Sequence, residues 1–190
     1  MSASIHKTTA WIEAAVIAAL AMALSFIPDY LSWMTPSYGA IVAILFALRR
    51  GTGFGLLSGM LWGLLHFVTG KAFFMTVPQV LIEYVLAFTC IGFAGVVSRQ
   101  FLKALHEKHQ SRALIWAICG TVIGVAARWV WHYVAGVIFW GSYAPEGVSP
   151  YWYSFTVNGA AALQTVIVVL IVVIPLALSH KKLFLTEYFG

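Results

Sequence analysis

Long apolar stretches, separated by short polar breaks, fill nearly the whole of this sequence. Of the 190 residues, 62% are hydrophobic and only 9% are charged, and the mean hydropathy is +0.91. A soluble domain carries roughly 25% charged residues, so this composition predicts an all-α integral membrane protein. Because a hydrocarbon core of ~30 Å requires about 20 apolar residues per helix, the chain has room for about five or six membrane-spanning helices.

The apolar segments are interpreted as six transmembrane helices of a single domain that occupies residues 1–190. Clusters of Pro, Gly and Ser and pairs of basic residues mark where the segments end. The expected spans, in chain order, are 10–27, 38–48, 52–69, 78–97, 113–139 and 154–177. The polar stretch 98–112 is expected to form a loop or a short surface helix, and 141–152 is expected to form a loop.

The positions of Lys and Arg predict the orientation of these helices in the membrane. With the N-terminus inside, the inner segments hold Lys7, Arg49, Arg50, Arg99, Lys103, Lys108, Arg112, Lys181 and Lys182. The outer loops hold only Lys71, and Arg128 lies within a span. Since cytoplasmic segments are enriched in Lys and Arg, we expect both termini in the cytoplasm. The net charge of +5 is therefore attributed to topology, and no nucleic-acid partner is expected.

Polar and aromatic residues in the outer halves of spans 4 to 6 form the candidate site. Ionisable groups are costly inside a bilayer and indicate a functional site by default. One face of span 5 carries a series at intervals of four residues: Arg128, His132, Gly136 and Trp140. Residues four apart lie on one side of a helix. With the expected orientation, one depth is shared by Glu83, Tyr84, Arg128, His132, Trp140, Tyr153 and Asn158.

These residue types suit a small aromatic cation. The Glu83 carboxylate would balance a positive charge, and each Trp or Tyr face attracts a cation by roughly 0.5–2 kcal/mol. Gly136 is expected to leave a gap about as thick as a flat ring. Two alternatives remain open: Glu83 forms a structural salt bridge with Arg128, or His132 is a hydrogen-bonded core histidine. His66, near the outer end of span 3, is expected to be interfacial or hydrogen-bonded rather than in contact with a ligand.

Small residues at intervals of four indicate close helix packing in two spans. Span 3 carries a ridge that we expect to pack within the chain: Gly55, Gly59 and Gly63. Span 1 carries a second ridge: Ala15, Ala19 and Ala23. For that second ridge, packing within the chain and contact with a separate membrane protein both remain open. No metal-binding spacing of His and Cys occurs, and Cys90 and Cys119 are expected to be free thiols.

Several motifs together resemble one family of membrane proteins. They are an alanine-rich first helix, Ile-Glu-Tyr in span 4, Arg-x-x-x-His-x-x-x-Gly-x-x-x-Trp in span 5 and Tyr-x-x-x-x-Asn entering span 6. Over nearly its whole length the chain is similar to the thiamine-specific S-components of energy-coupling factor (ECF) vitamin transporters. The resemblance implies high-affinity capture of thiamine at an outward-facing site in a prokaryotic plasma membrane. It also implies delivery to a module of one transmembrane coupling protein and two ATPase subunits.

The resemblance further implies roles for individual residues. Substrate binding is expected of Glu83, Tyr84, His132, Gly136, Trp140, Tyr153 and Asn158, with Trp33 in a lid-like first loop. Arg128 is expected to orient these groups. The coupling protein is expected to pack on Ala15, Ala19 and Ala23. The resemblance implies that the chain itself is not an enzyme and binds no cofactor, and that only its partners use ATP. In agreement with this, the sequence has no phosphate-cradling G-x-x-x-x-G-K-[ST] loop.

Three other functions are weighed against this one. An S-component for another vitamin or a pyrimidine precursor is possible, but a neutral or anionic ligand has little use for Glu83 among aromatic rings. An autonomous secondary transporter usually has internal repeats and helices broken at the midplane, and neither is evident. A small membrane enzyme with Glu83 and His132 as acid and base would need a nucleophile or metal ligands nearby.

Overall fold

Six helices, joined by short connections, make up most of this computed structural model, which describes residues 2–28 and 34–185. They are α1 Ser2–Leu24, α2 Ala40–Arg50, α3 Thr52–Val68, α4 Val77–His106, α5 Gln110–Phe139 and α6 Pro150–Ser179. Short 3-10 turns follow α5 at Gly141–Tyr143 and α6 at Lys181–Leu183. Helices α4, α5 and α6 are long and apolar enough to cross a membrane, while α3 and the Thr8–Leu24 part of α1 are shorter apolar helices. The predicted all-α membrane fold with six helices is confirmed.

Helix α4 extends beyond the expected span of 78–97. Its last segment, Ser98–His106, is a short helix, as one of the two expectations had it, but it continues α4 directly and only residues 107–109 form a turn. Phe101 and Leu105 are buried there, and the Ser98 hydroxyl donates to the Leu48 carbonyl oxygen at 2.7 Å. The polar composition of this segment had suggested an element separate from span 4, but only one of its faces is exposed and the other is buried.

Helix α6 begins earlier than the expected residue 154. The Ser149 hydroxyl accepts a hydrogen bond from the Trp152 backbone N–H at 3.2 Å, and Pro150 occupies the first turn. A serine cap followed by proline is a favourable helix start, because proline has no N–H to leave unsatisfied there. The expected loop therefore ends before Pro150, and Tyr153 lies within the first turns of α6.

The glycine ridge of α3 packs against α4, as the sequence predicted. A Cβ on Gly59 would lie 3.1 Å from the Ile91 side chain, and one on Gly63 would overlap the carbonyl oxygen of Tyr84. A Cβ on Gly55 would lie 2.9 Å from the carbonyl oxygen of Gly92 on α4. The two helices therefore approach to backbone contact, and this contact fixes the part of α4 that carries Glu83 and Tyr84.

Gly63→Ala is expected to destabilise the protein by about 1–3 kcal/mol, the usual cost of overpacking a close contact. The new methyl group would overlap the Tyr84 carbonyl, so α3 and α4 would have to separate. Gly53→Ala on the same helix is the matched control, because its Cβ would meet nothing within 4 Å. Thermal unfolding in detergent measures both variants, and equal midpoints would contradict the packing argument.

Ion pairs and hydrogen bonds join three segments of the chain near the last residues of α2. Glu13 Oε2 accepts from Arg50 Nε at 2.6 Å, and Oε1 accepts from Arg49 Nη2 at 3.1 Å. Arg49 also donates to the carbonyl oxygen of Leu183 at 2.9 Å. The early part of α1, the end of α2 and the C-terminal turn therefore share one end of the molecule.

The alanines of α1 divide between two faces. Ala14 and Ala18 are 0% and 1% exposed and belong to the buried face of the helix. The ridge at intervals of four that was identified in span 1 is exposed along its length: Ala15, Ala19 and Ala23. Packing within the described chain therefore uses the other alanine row, and the ridge presents a surface of small side chains.

Candidate ligand-binding site

A π-helical turn in α4 brings two adjacent side chains to the same cavity. The turn covers Leu81–Leu86 and lies between the α-helical segments Val77–Val80 and Ala87–Cys90. Consecutive residues of an α-helix point about 100° apart, and the wider π turn reduces that angle. Glu83 and Tyr84 both line the cavity as a result. Single π turns inside α-helices are frequent at functional sites.

The cavity lies between α3, α4, α5 and α6 and has a volume of about 360 Å³. Its walls include eight of the residues expected at the site: Glu83, Tyr84, Arg128, His132, Gly136, Trp140, Tyr153 and Asn158. The remaining one, Trp33, lies outside the described residues. Pockets for small ligands usually measure about 300–1,000 Å³, so this space suits a small molecule.

The Glu83 carboxylate is held by two neutral donors. Trp140 Nε1 donates to Oε1 at 2.8 Å, and the Gln79 side-chain amide donates to Oε2. Within residues 2–28 and 34–185, no ion pair involves Glu83 or joins it to Arg128. The salt-bridge alternative is therefore wrong, and the two side-chain partners of the carboxylate are the neutral donors Trp140 and Gln79.

Arg128 is bound by neutral groups instead. Its Nη1 donates to Ser37 Oγ at 2.7 Å, and its guanidinium carbon lies 4.1 Å from the Phe88 ring centroid and 5.0 Å from that of Trp62. Its Nε donates to His132 Nε2 at 3.1 Å. Because arginine can only donate, His132 Nε2 accepts, which leaves the ring proton on Nδ1 as a donor. Arg128 thus fixes both the rotation and the tautomer of this imidazole.

Gly136 allows α6 to approach α5 closely. A Cβ at this position would overlap Ser154 Oγ and lie 2.8 Å from Asn158 Nδ2. Ser154 donates to the Tyr133 carbonyl oxygen at 2.8 Å, and Asn158 Nδ2 donates to the Ser154 carbonyl oxygen at 3.1 Å. The expected ring-sized gap is therefore occupied by α6 on that side. The glycine makes room for polar side chains that line the cavity.

Sequence reasoning missed several residues of the cavity wall. His66 is 5% exposed and its Nδ1 lies 3.0 Å from the Trp62 carbonyl oxygen, so it is the hydrogen-bonded histidine that was one of the two expectations, but its place on the cavity wall was not expected. Phe73 reaches the wall from the loop between α3 and α4. Gln79, which is not on the wall itself, is completely buried and donates to the Glu83 carboxylate. A glutamine four residues before a buried glutamate was the available signal for Gln79, whereas no sequence pattern marked Phe73.

Two smaller spaces adjoin this cavity and share Thr35 and Arg128 with it. One, of about 220 Å³, extends between α5 and α6 beside Trp129. The other, of about 190 Å³, extends towards the end of α1 beside Leu24. Of these three adjoining spaces, the largest is the one lined by Glu83 and Trp140, a carboxylate and an indole ring that suit a cation.

The main cavity contains the kinds of group that a flat cation with hydrogen-bonding edges would require, beside the basic residues Lys71 and Arg128. One carboxylate supplies the counter-charge, and the rings of Tyr84, Trp140 and Tyr153 supply polarisable walls. His132 and Asn158 add directional hydrogen-bonding groups. Among the residues that the structure describes, no group of three or more His, Cys, Asp or Glu is placed to hold a metal ion.

Comparison with known proteins identifies close relatives of the whole chain. Residues 11–185 match the model of the family described as thiamine transporter protein. The thiamine transporter ThiT of Lacticaseibacillus paracasei is 35% identical over 181 residues, which cover 93% of this chain and 90% of that protein. The thiamine transporter ThiT of Bacillus subtilis is 29% identical over 180 residues, covering 93% and 94%. The solved structure of ThiT from Listeria monocytogenes superposes with a TM-score of 0.92 at 44% identity, covering 95% of this chain and 100% of that one.

Proposed function

Because this chain belongs to the thiamine transporter protein family, and is thus the substrate-binding component of an ECF transporter rather than an enzyme, we propose that it binds thiamine in the cavity lined by Glu83. One observation carries the assignment of the site. The Glu83 carboxylate is held at both oxygens by the neutral donors Trp140 and Gln79 and lies on the wall of a cavity of ligand size. A buried charge without a partner is costly, and a cationic ligand supplies the missing partner.

The two rings of thiamine match the two kinds of wall. The thiazolium ring carries a permanent positive charge, for which Glu83 and the indole of Trp140 offer a counter-ion and a π face. The aminopyrimidine ring offers amino donors and ring-nitrogen acceptors. His132 Nδ1–H and the Asn158 side-chain amide can pair with such groups, and Arg128 keeps the imidazole in the tautomer that donates.

We further propose that the cavity opens to the outside and that both termini are cytoplasmic. Glu13 on α1 binds the basic pair at the end of α2, and Arg49 of that pair donates to Leu183 in the C-terminal turn, so these predicted inner segments are in contact. Lys71, the basic residue predicted outside, lines the cavity. The enrichment of basic residues on the cytoplasmic side supports this orientation in a prokaryotic plasma membrane.

The exposed alanine ridge of α1 is evidence for contact with a partner protein in the membrane. Ala15, Ala19 and Ala23 are exposed, whereas the neighbouring row is buried within the chain. Small residues at this interval allow another membrane helix to approach closely. We propose that the ECF coupling protein packs on this ridge, and that the two ATPase subunits of the module use the ATP.

Thiamine is expected to quench the fluorescence of the purified, detergent-solubilised protein in a saturable way. The cavity contains Trp140, and the chain has eight tryptophans in all. A dissociation constant of about 1 μM or below, equivalent to about 8 kcal/mol or more, is the expected result. Riboflavin and biotin are the controls, and neither should compete. If the folded protein shows no change in fluorescence on addition of thiamine, both the proposed site and the proposed ligand are wrong.

A further inference from the structure

Gln79 makes more polar contacts than any role in helix capping requires. Its backbone N–H donates to Thr76 Oγ1 at 3.3 Å, which caps α4 without the side chain. Gln79 is 0% exposed, and its side-chain amide contacts three other groups. Its Nε2 donates to Glu83 Oε2 and, at 3.2 Å, to the Phe73 carbonyl oxygen, while Oε1 accepts from the Met75 N–H at 3.1 Å.

These contacts allow only one orientation of the Gln79 amide. If the amide were flipped, Oε1 would face the Glu83 carboxylate and Nε2 would face the Met75 N–H, so two acceptors and two donors would oppose each other. The loop backbone therefore selects the rotamer that donates to Glu83. Buried polar networks in which every member is satisfied hold their members in a unique arrangement.

A second set of contacts ties the same loop, residues 71–76, to the other side of the carboxylate. The Phe73 N–H donates to the Tyr84 hydroxyl at 2.9 Å, and the Phe73 ring centroid lies 5.3 Å from that of Trp140. Trp140 in turn donates to Glu83 Oε1 at 2.8 Å. The contacts thus form a ring of four residues in which both oxygens of the Glu83 carboxylate are hydrogen-bonded. Its members are Glu83, Gln79, Phe73 and Trp140.

We propose that Gln79 is a positioning residue for ligand capture, which fixes the Glu83 carboxylate towards the cation and makes loop 71–76 part of the site. The inference rests on the proposed function, since it concerns how the same cavity binds thiamine. Without the Gln79 amide, Glu83 keeps one hydrogen bond, to Trp140, and its carboxylate is free to rotate. The loop loses the two hydrogen bonds that join the backbone of Phe73 and Met75 to the Gln79 side chain.

Gln79→Met, which keeps the length of the side chain and removes its amide, tests the proposal in a double-mutant cycle with Glu83→Gln. Thiamine dissociation constants are measured for the parent, both single variants and the double variant. We expect Gln79→Met to weaken binding about 10- to 100-fold in the parent, the loss typical of a hydrogen bond to a charged group. In the Glu83→Gln background the further loss should stay below about 3-fold, because the two residues act as one unit.

The cycle separates positioning from a purely structural role. A Gln79→Met loss of equal size in both backgrounds would overturn the proposal, because it would mean that Gln79 does not act through Glu83. Gln100→Met is the matched control, since Gln100 is exposed on the same helix. This variant should bind thiamine as tightly as the parent does. Failure of the parent itself to bind thiamine would refute the proposed function instead.

Hydrogen exchange of the unmodified protein gives a second test that requires no variant to fold. Saturating thiamine is expected to slow exchange of the Phe73 and Met75 amides at least 10-fold, because both amides donate to side chains fixed by the ligand site. Amides of the turn Lys181–Leu183, at the other end of the molecule, should not respond. Thiamine binding without any change in loop exchange would exclude loop 71–76 from the site.

Discussion

Glu83→Gln is expected to weaken thiamine binding by about 100- to 1,000-fold while the protein remains folded. Two opposite charges 4 Å apart interact by about 4 kcal/mol at an effective dielectric constant of 20, and each 1.4 kcal/mol is tenfold in affinity. A single aromatic face contributes only about 0.5–2 kcal/mol to holding a cation. The carboxylate is therefore expected to contribute more binding free energy than any other group in the site, and the aromatic rings alone are not expected to compensate for its loss.

The substitution also removes one of the two hydrogen bonds that the Glu83 carboxylate accepts. Glutamine has one carbonyl oxygen, so it can accept from Trp140 or from Gln79 but not from both in the present geometry. We expect a loss of stability of about 1 kcal/mol, which is small enough for the fold to survive. Calorimetric or fluorescence titration, with the unfolding midpoint measured on the same samples, separates the loss of affinity from the loss of stability.

Glu146→Gln provides the matched control for this experiment. Glu146 is exposed on the loop between α5 and α6, so its replacement removes the same charge without touching the cavity. It should bind thiamine like the parent, whereas an equal loss in both variants would assign the effect to long-range attraction. If Glu83→Gln binds as tightly as the parent, Glu83 is not the counter-charge and the site lies elsewhere.

The fold was predictable because its determinants are local. Apolar length, turn residues and the distribution of basic residues define helices, and α4, α5 and α6 each extend over 30 residues as spanning helices. The ends of these helices were less predictable. The last part of α4 is polar in composition, yet Phe101 and Leu105 bury one face, and only the neighbouring helices determine which face that is.

The candidate site was predictable to the extent that it lies on helices. Spacing of four residues placed Arg128, His132 and Gly136 on one side of α5, and all three line the cavity. Spacing does not reveal what faces them, so the occupation of the Gly136 gap by α6 was missed. The π turn around Glu83 and the loop residue Phe73 depend on long-range contacts, for which a single sequence gives no periodic pattern.

Ala19→Trp is expected to abolish ATP-driven thiamine uptake while leaving thiamine binding unchanged. Ala19 is exposed at the centre of the α1 ridge and does not line the cavity. Packed helices lie about 8–10 Å apart, and alanine ridges permit the close end of that range. An indole at this position would hold a partner helix several ångströms away, and the dispersion contacts along the whole ridge would be lost together.

The measurement compares uptake by proteoliposomes that contain the complete transporter with thiamine binding by the isolated chain. Ala126→Trp is the matched control, because Ala126 is exposed on α5 and away from the ridge, and it should transport normally. Uptake in Ala19→Trp should fall more than tenfold, and the coupling protein should no longer co-purify with the variant. Normal uptake by Ala19→Trp would show that the coupling protein uses another surface, because a tight helix contact cannot accommodate an indole in place of a methyl group.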